Sequence, residues 1–157
     1  MAADAQGDTL ILGVGNPLMG DDGVGVLAIQ RLLARPDLPP GVAVVDGGTA
    51  GLGLIPLIEG YRRVVLVDAV LMGEPPGTVR RFRWHEANVA GHERPLSLHQ
   101  SDLADALALA EALGCLPPEV IVFGVQPQHA DWERLPSEAV ARALPGLVDA
   151  LLTEVRS

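Results

Sequence analysis

The chain has 157 residues, 48% hydrophobic and 20% charged, with a formal net charge of -9, which fits one compact domain over residues 1–157 with a sizeable core. The negative charge speaks against nucleic acid, whose partners neutralise phosphates with lysine and arginine, and no apolar run approaches the roughly 20 residues that span a bilayer. One cysteine, Cys115, forms no internal disulfide, and no cationic segment leads into a hydrophobic core with a cleavage site, so the expectation is a cytoplasmic protein; no membrane or nucleic-acid partner is expected, and a monomer is taken as the starting expectation, which composition does not decide.

The run Thr9 to Val14 is apolar and breaks at Gly15-Asn16-Pro17, then at Asp21-Asp22. This reads as a strand, a tight turn and an acidic helix start. Val26, Leu27, Ile29, Leu32 and Leu33 recur at helical spacing until Arg35-Pro36 stops the helix. Val42 to Asp46 is a second strand, followed by the glycine loop Gly47-Gly48-Thr49-Ala50-Gly51 and a short helix from Leu52 to Ile58. Arg63 to Asp68 is a continuous β-branched run, as expected of a central strand covered on both faces. Val79 to Trp84 alternates apolar and basic residues and predicts an edge strand. Residues 85–100 form an irregular stretch of the kind that often carries function. A helix is predicted over 102–113, with Leu103, Ala106, Leu107, Ala110 and Leu113 on one face and Gly114 as its stop. A last strand over 120–125 and a helix over 137–155 close the chain. The alternation predicts an α/β fold: a single domain built on a doubly wound, mostly parallel, five-stranded sheet with helices on both faces.

Gly13-Val14-Gly15 invites a dinucleotide reading, but the third glycine of that fingerprint should fall at Leu18, and two aspartates at the helix start would repel a pyrophosphate. Asp21 is expected to cap its helix. Asp22, Asp46 and Asp68 each follow a strand or its turn, and strand carboxyl ends converge on one edge of such a sheet. Three acids there would repel one another unless a cation or protons intervene. His99, just ahead of a helix, is placed to reach the same edge. Two carboxylates and an imidazole form a donor set for a first-row divalent metal. No Gly-x-Ser-x-Gly elbow is present, Cys115 reads as a structural thiol, His85 and His92 as loop residues, and His129 as a reserve candidate.

The stretch Gly15-Asn16-Pro17-Leu18-Met19-Gly20-Asp21-Asp22-Gly23-Val24-Gly25 resembles the opening signature of the nickel-iron hydrogenase maturation proteases. Asp46 to Leu52, Leu66-Val67-Asp68-Ala69, Pro76-Gly77-Thr78, Ser97-Leu98-His99-Gln100 and Gly124-Val125-Gln126-Pro127 are similar to further blocks in the family's order. The resemblance covers residues 9 to 155. It implies an endopeptidase that trims the C-terminus of a hydrogenase large-subunit precursor after nickel insertion. It further implies a metal and catalytic site of Asp22, Asp68 and His99, and a substrate cleft of Gly47, Gly48 and Thr49 with Asn16. The metal it implies is the nickel carried by the precursor, with other divalent ions able to occupy the same donors. A protein that inspects the precursor's nickel without cutting would use the same ligands. Peptidyl-tRNA hydrolases also open with a strand and a Gly-Asn-Pro turn, yet they need a histidine soon after it and a basic RNA face, where this chain has two aspartates and a charge of -9.

Overall fold

The alternating apolar strands and amphipathic helices assemble as expected, and the computed structural model describes residues 8–49, 51–84, 96–97, 100–132 and 135–157. In chain order the elements are β1 (Thr9–Val14), α1 (Val24–Leu33), β2 (Val42–Gly48), α2 (Leu54–Ile58), β3 (Arg63–Leu71), β4 (Val79–Arg83), β5 (Leu96–Ser97), α3 (Gln100–Ala112), β6 (Glu119–Val125) and α4 (Glu138–Arg156). Single 3-10 turns at Gly20–Gly23 and Gly51–Gly53 lead into α1 and α2.

Five strands run in the order β2-β1-β3-β6-β4. The β1–β2, β1–β3 and β3–β6 pairs are parallel, whereas β4 closes the β6 edge antiparallel. The β-branched β3 is therefore the central strand. The short β5 was not foreseen. It pairs antiparallel with the end of β3, Ser97 against Val70 and Leu96 against Leu71.

Side chains alternate between two cores because successive strand residues point to opposite faces. Ile11, Val65, Val67, Ile121 and Phe123 face α1 and α4, where they meet Ile29, Leu32, Leu144, Val148 and Leu151. Leu10, Leu12, Val64, Leu66, Val120 and Val122 face α2 and α3, where they meet Leu54, Ile58, Ala106 and Leu107. Each fully buried Leu or Ile is worth about 1.5–3 kcal/mol relative to exposure. The expected face of α3 holds for Leu103, Ala106, Leu107 and Ala110 but not for Leu113, which is 65% exposed. The helix ends at Ala112, and Gly114 takes φ +74°, reversing the chain so that the Cys115 N–H donates to the Ala110 carbonyl.

The amino ends of β1, β3 and β6 border a groove of about 720 Å³ lined by Arg62, Arg63, Arg81, Arg83, Glu119 and Glu154 among others. Glu154 of α4, nearly buried, is tied to Arg63 and to Arg81, whose Nη2 donates to Oε2 at 3.1 Å. The hydrogen bond from Arg81 is the main cause holding its carboxyl below the ordinary value of 4.5, helped by the charges of Arg81, Arg63 and Arg83 and opposed by burial. A lowered carboxylate contributes stability that is complete above the unfolded pKa and is lost as pH falls through the folded one. Glu154→Gln should therefore cost about 2 kcal/mol at pH 7, the scale of hydrogen bonds to a charged group. The wild-type advantage in urea denaturation should shrink as pH falls below about 4.5.

Candidate functional site at the strand carboxyl ends

The acidic turn reaches the sheet because glycines let backbone meet backbone. A Cβ on Gly25 would lie 2.3 Å from the Val67 carbonyl oxygen and 2.5 Å from that of Val14, and one on Gly13 would lie 2.4 Å from the Gly25 oxygen. The start of α1 thus sits directly on β1 and β3. A Cβ on Gly23 would fall 2.3 Å from the Pro17 Cα, and Gly15, at φ +134°, would place one 2.0 Å from the Asp22 backbone carbonyl oxygen. Folded this way, the 3-10 turn carrying Asp22 packs against β3, where Asp68 directly follows Val67.

Both carboxylates are out of water, Asp22 at 1% and Asp68 at 0% exposure. Asp22 Oδ2 accepts the Asn16 N–H at 3.0 Å, and the Asn16 side-chain oxygen accepts the Leu18 N–H at 2.9 Å, which closes the turn upon itself. In β6, Gly124 is the register partner of Asp68. Charged groups are buried at a cost that ion pairing, hydrogen bonds or a metal must offset. Two hard oxygen donors on adjoining elements suit a divalent cation. The expected third donor, His99, lies outside the described residues, as do His85 and His92. Ser97, two positions before His99, ends β5, and Gln100, the next residue after it, begins α3. Among the described residues no group of three His, Cys, Asp or Glu side chains is placed to hold a metal ion.

Asp46 does not join this pair. It is exposed, and its Oδ1 accepts the Gly48 N–H at 2.8 Å in a local turn. The following loop lies beside the acidic turn: the Gly48 carbonyl accepts the Gly15 N–H at 2.9 Å, Gly47 is buried, and Thr49 is exposed.

Asp21 does not cap its own helix. Neither the 3-10 turn nor α1 has a side-chain cap. Its carboxylate instead accepts the N–H groups of Gln128 (2.7 Å), His129 (3.2 Å) and Ser137 (2.6 Å) and the Ser137 hydroxyl (2.8 Å). The His129 ring lies over Gly20, where a Cβ would be 2.7 Å from Nδ1, a buried atom without a hydrogen-bond partner among the described residues. A second organising residue escaped the sequence reading. Gln126, 8% exposed, accepts the Met72 N–H at 2.7 Å through Oε1 and so holds the start of the β3–β4 loop. Local periodicity carries no signal for either role, since the partners are 54 to 116 positions away.

A sequence model of the family HycI, hydrogenase maturation protease, matches residues 26–154, a span that begins just after the acidic turn. The hydrogenase expression/formation protein HupD of Rhodobacter capsulatus is 36% identical over 75% of this chain and 56% of its own length, and HupM of Azotobacter chroococcum mcd 1 is 40% identical over 78% and 58%. The chain thus spans a little under three fifths of these curated relatives. The hydrogenase 2 maturation protease of Escherichia coli is 34% identical over 78% of this chain and 74% of its own. Among solved structures, the E. coli hydrogenase maturating endopeptidase HybD superposes with a TM-score of 0.82 at 29% identity, covering 95% of this chain and 92% of that one. The [NiFe] hydrogenase maturation protease HybD of Thermococcus kodakarensis gives 0.75 at 28%, covering 92% and 96%. The chain belongs to the hydrogenase maturation protease family.

Proposed function

We propose that the chain is an endopeptidase that removes the C-terminal extension of a nickel-iron hydrogenase large-subunit precursor after nickel insertion. The observation that most supports this reading is the pair of buried carboxylates, Asp22 and Asp68, on adjoining elements at the strand carboxyl ends of a member of this family. Asp22 and Asp68, with His99 as third donor, receive the divalent ion that the precursor brings; the nickel is part of the substrate. A divalent ion beside a peptide carbonyl polarises it or lowers the pKa of a bound water. The chain's share is to hold the donors still. The Asn16 N–H fixes one oxygen of Asp22, and glycine packing fixes the turn against β3. Gly47, Gly48 and Thr49, with Asn16, line the cleft in which the precursor's chain lies. We place the protein in the cytoplasm as a monomer, with neither nucleic acid nor membrane as partner. Among the described residues no helix is long and apolar enough to cross a membrane.

The test incubates the protein with nickel-loaded and with nickel-free precursor and weighs the large subunit by mass spectrometry. The expected result is loss of a C-terminal peptide from the nickel-loaded form alone. An unchanged mass in both would overturn the protease reading, and unchanged mass with retained complex formation would make the chain a nickel-inspecting binding protein.

A further inference from the structure

The stretch between β6 and α4 is fastened at both ends to one side chain. Asp21, fully buried, takes the N–H groups of Gln128 and His129 at the near end and the N–H and hydroxyl of Ser137 at the far end. The His129 carbonyl in turn accepts the Asp21 N–H at 3.0 Å. Ser137 is also the N-cap of α4, its oxygen accepting the Val140 N–H. Between these anchors the chain presents Trp132 at 65% and Leu135 at 85% exposure. Leu18, in the β1–α1 turn, is 62% exposed, and Leu71, at the end of β3, is 44% exposed. Among the described residues seven large hydrophobic side chains are exposed, and these four all belong to segments at the strand carboxyl ends. Grouped exposed apolar side chains mark sites of protein contact.

We propose that Asp21 is a positioning residue for substrate capture: it fixes the segment after β6 so that Trp132 and Leu135, with Leu18, grip an apolar stretch of the precursor polypeptide beside the bond to be cut. The inference rests on the protease reading above. The precursor is the occupant because Leu18 belongs to the turn that carries Asp22, and that turn is bonded through Asp21 to the segment that carries Trp132 and Leu135. A polypeptide seated on Leu18 lies four residues in sequence from that ligand. The charge of -9 disfavours a polyanion on the same edge. One carboxylate with four donors is a stiff fastening, because hydrogen bonds to a charged acceptor are roughly twice as strong as neutral ones. Its neighbour in the chain is Asp22, so the apolar grip and the acidic site share a single rigid turn. An Asn at position 21 would aim its NH2 group at some of these same donors and would release one end of the segment.

The experiment measures kcat and KM for cleavage of nickel-loaded precursor by wild-type protein, W132A/L135A, D21N, the combined D21N/W132A/L135A, and L113A, just after α3, as a control of equal exposure to Trp132. Truncating central aromatic anchors costs on the order of tenfold or more in affinity. W132A/L135A should therefore raise KM about tenfold with kcat little changed, as expected for loss of binding shared by ground and transition states. L113A should leave both constants as in wild type. D21N should raise KM and speed amide hydrogen exchange at Gln128, His129 and Ser137. In the combined variant KM should rise no further than in W132A/L135A, because Asp21 acts through those two side chains. A KM for W132A/L135A equal to that of wild type, or multiplying effects in the combined variant, would overturn the inference while leaving the protease reading intact. So would a fall in molar mass from dimer to monomer in W132A/L135A, since the rim would then serve a second copy of the chain. Absence of cleavage by the wild-type protein would overturn both.

Discussion

Asp68→Asn is expected to lower the rate of precursor cleavage by more than about 100-fold, the scale on which even supporting residues of metal sites act. The substitution keeps the side chain's shape and removes one negative charge from a fully buried position. Asp22→Asn should behave alike, and the double variant should be little worse than either, because residues that act as a unit are not additive. His99→Ala is expected to fall in the same range. Asp22→Glu retains the charge and should retain measurable cleavage. Thermal melting followed by circular dichroism separates lost chemistry from lost fold, and cleavage at the wild-type rate by both Asn variants would remove these residues from the site.

Gly25→Ala is expected to destabilise the protein by about 3 kcal/mol, the upper end of overpacking costs, and to depress activity with it. The added methyl would meet the Val67 and Val14 carbonyl oxygens at 2.3 and 2.5 Å and the Val14 nitrogen at 2.9 Å. All three are backbone atoms of the two central strands, which cannot swing aside as a side chain does. Relief requires α1 to lift off the sheet, and the turn bearing Asp22, three residues upstream, lifts with it. Gly146→Ala supplies the contrast. It is an exposed position within α4 where a Cβ meets nothing within 4 Å, so the change should stabilise by roughly 0.5–1 kcal/mol through helix propensity alone. Urea midpoints of the two variants moving in the same direction would contradict this account of the glycines.

The glycines also show how sequence and tertiary structure divide the information. In the chain, Gly13-Val14-Gly15 with Asn16-Pro17 and the paired aspartates looks like a damaged nucleotide loop. In three dimensions Gly13 and Gly25 are contact points of a helix laid on two strands, Gly15 and Gly23 are contact points within the turn, and what they position is an acid. Asp22 and Asp68 were legible as site candidates because a local pattern, an apolar run ending in an aspartate or in a turn followed by one, already places them at a strand's carboxyl end. The same pattern pointed to Asp46, which instead closes a turn in solvent, since being at a strand's end does not decide which way a side chain faces.

By itself the sequence determined the kinds and order of the elements other than β5, the central place of β3, the edge place of β4 and the stop at Gly114. All of these follow from residue type and spacing within a few positions: β-branched runs, period-two alternation, helical periodicity and a left-handed glycine. Only the tertiary structure decided the strand order around β3, the pairing of β5 with its end, the exposure of Leu113, and the use of Asp21. A capping aspartate and a clamping aspartate have the same neighbours in sequence. The difference lies in Gln128, His129 and Ser137, whose donors reach Asp21 from 107 to 116 positions away, because α4 packs beside α1 on one face of the sheet.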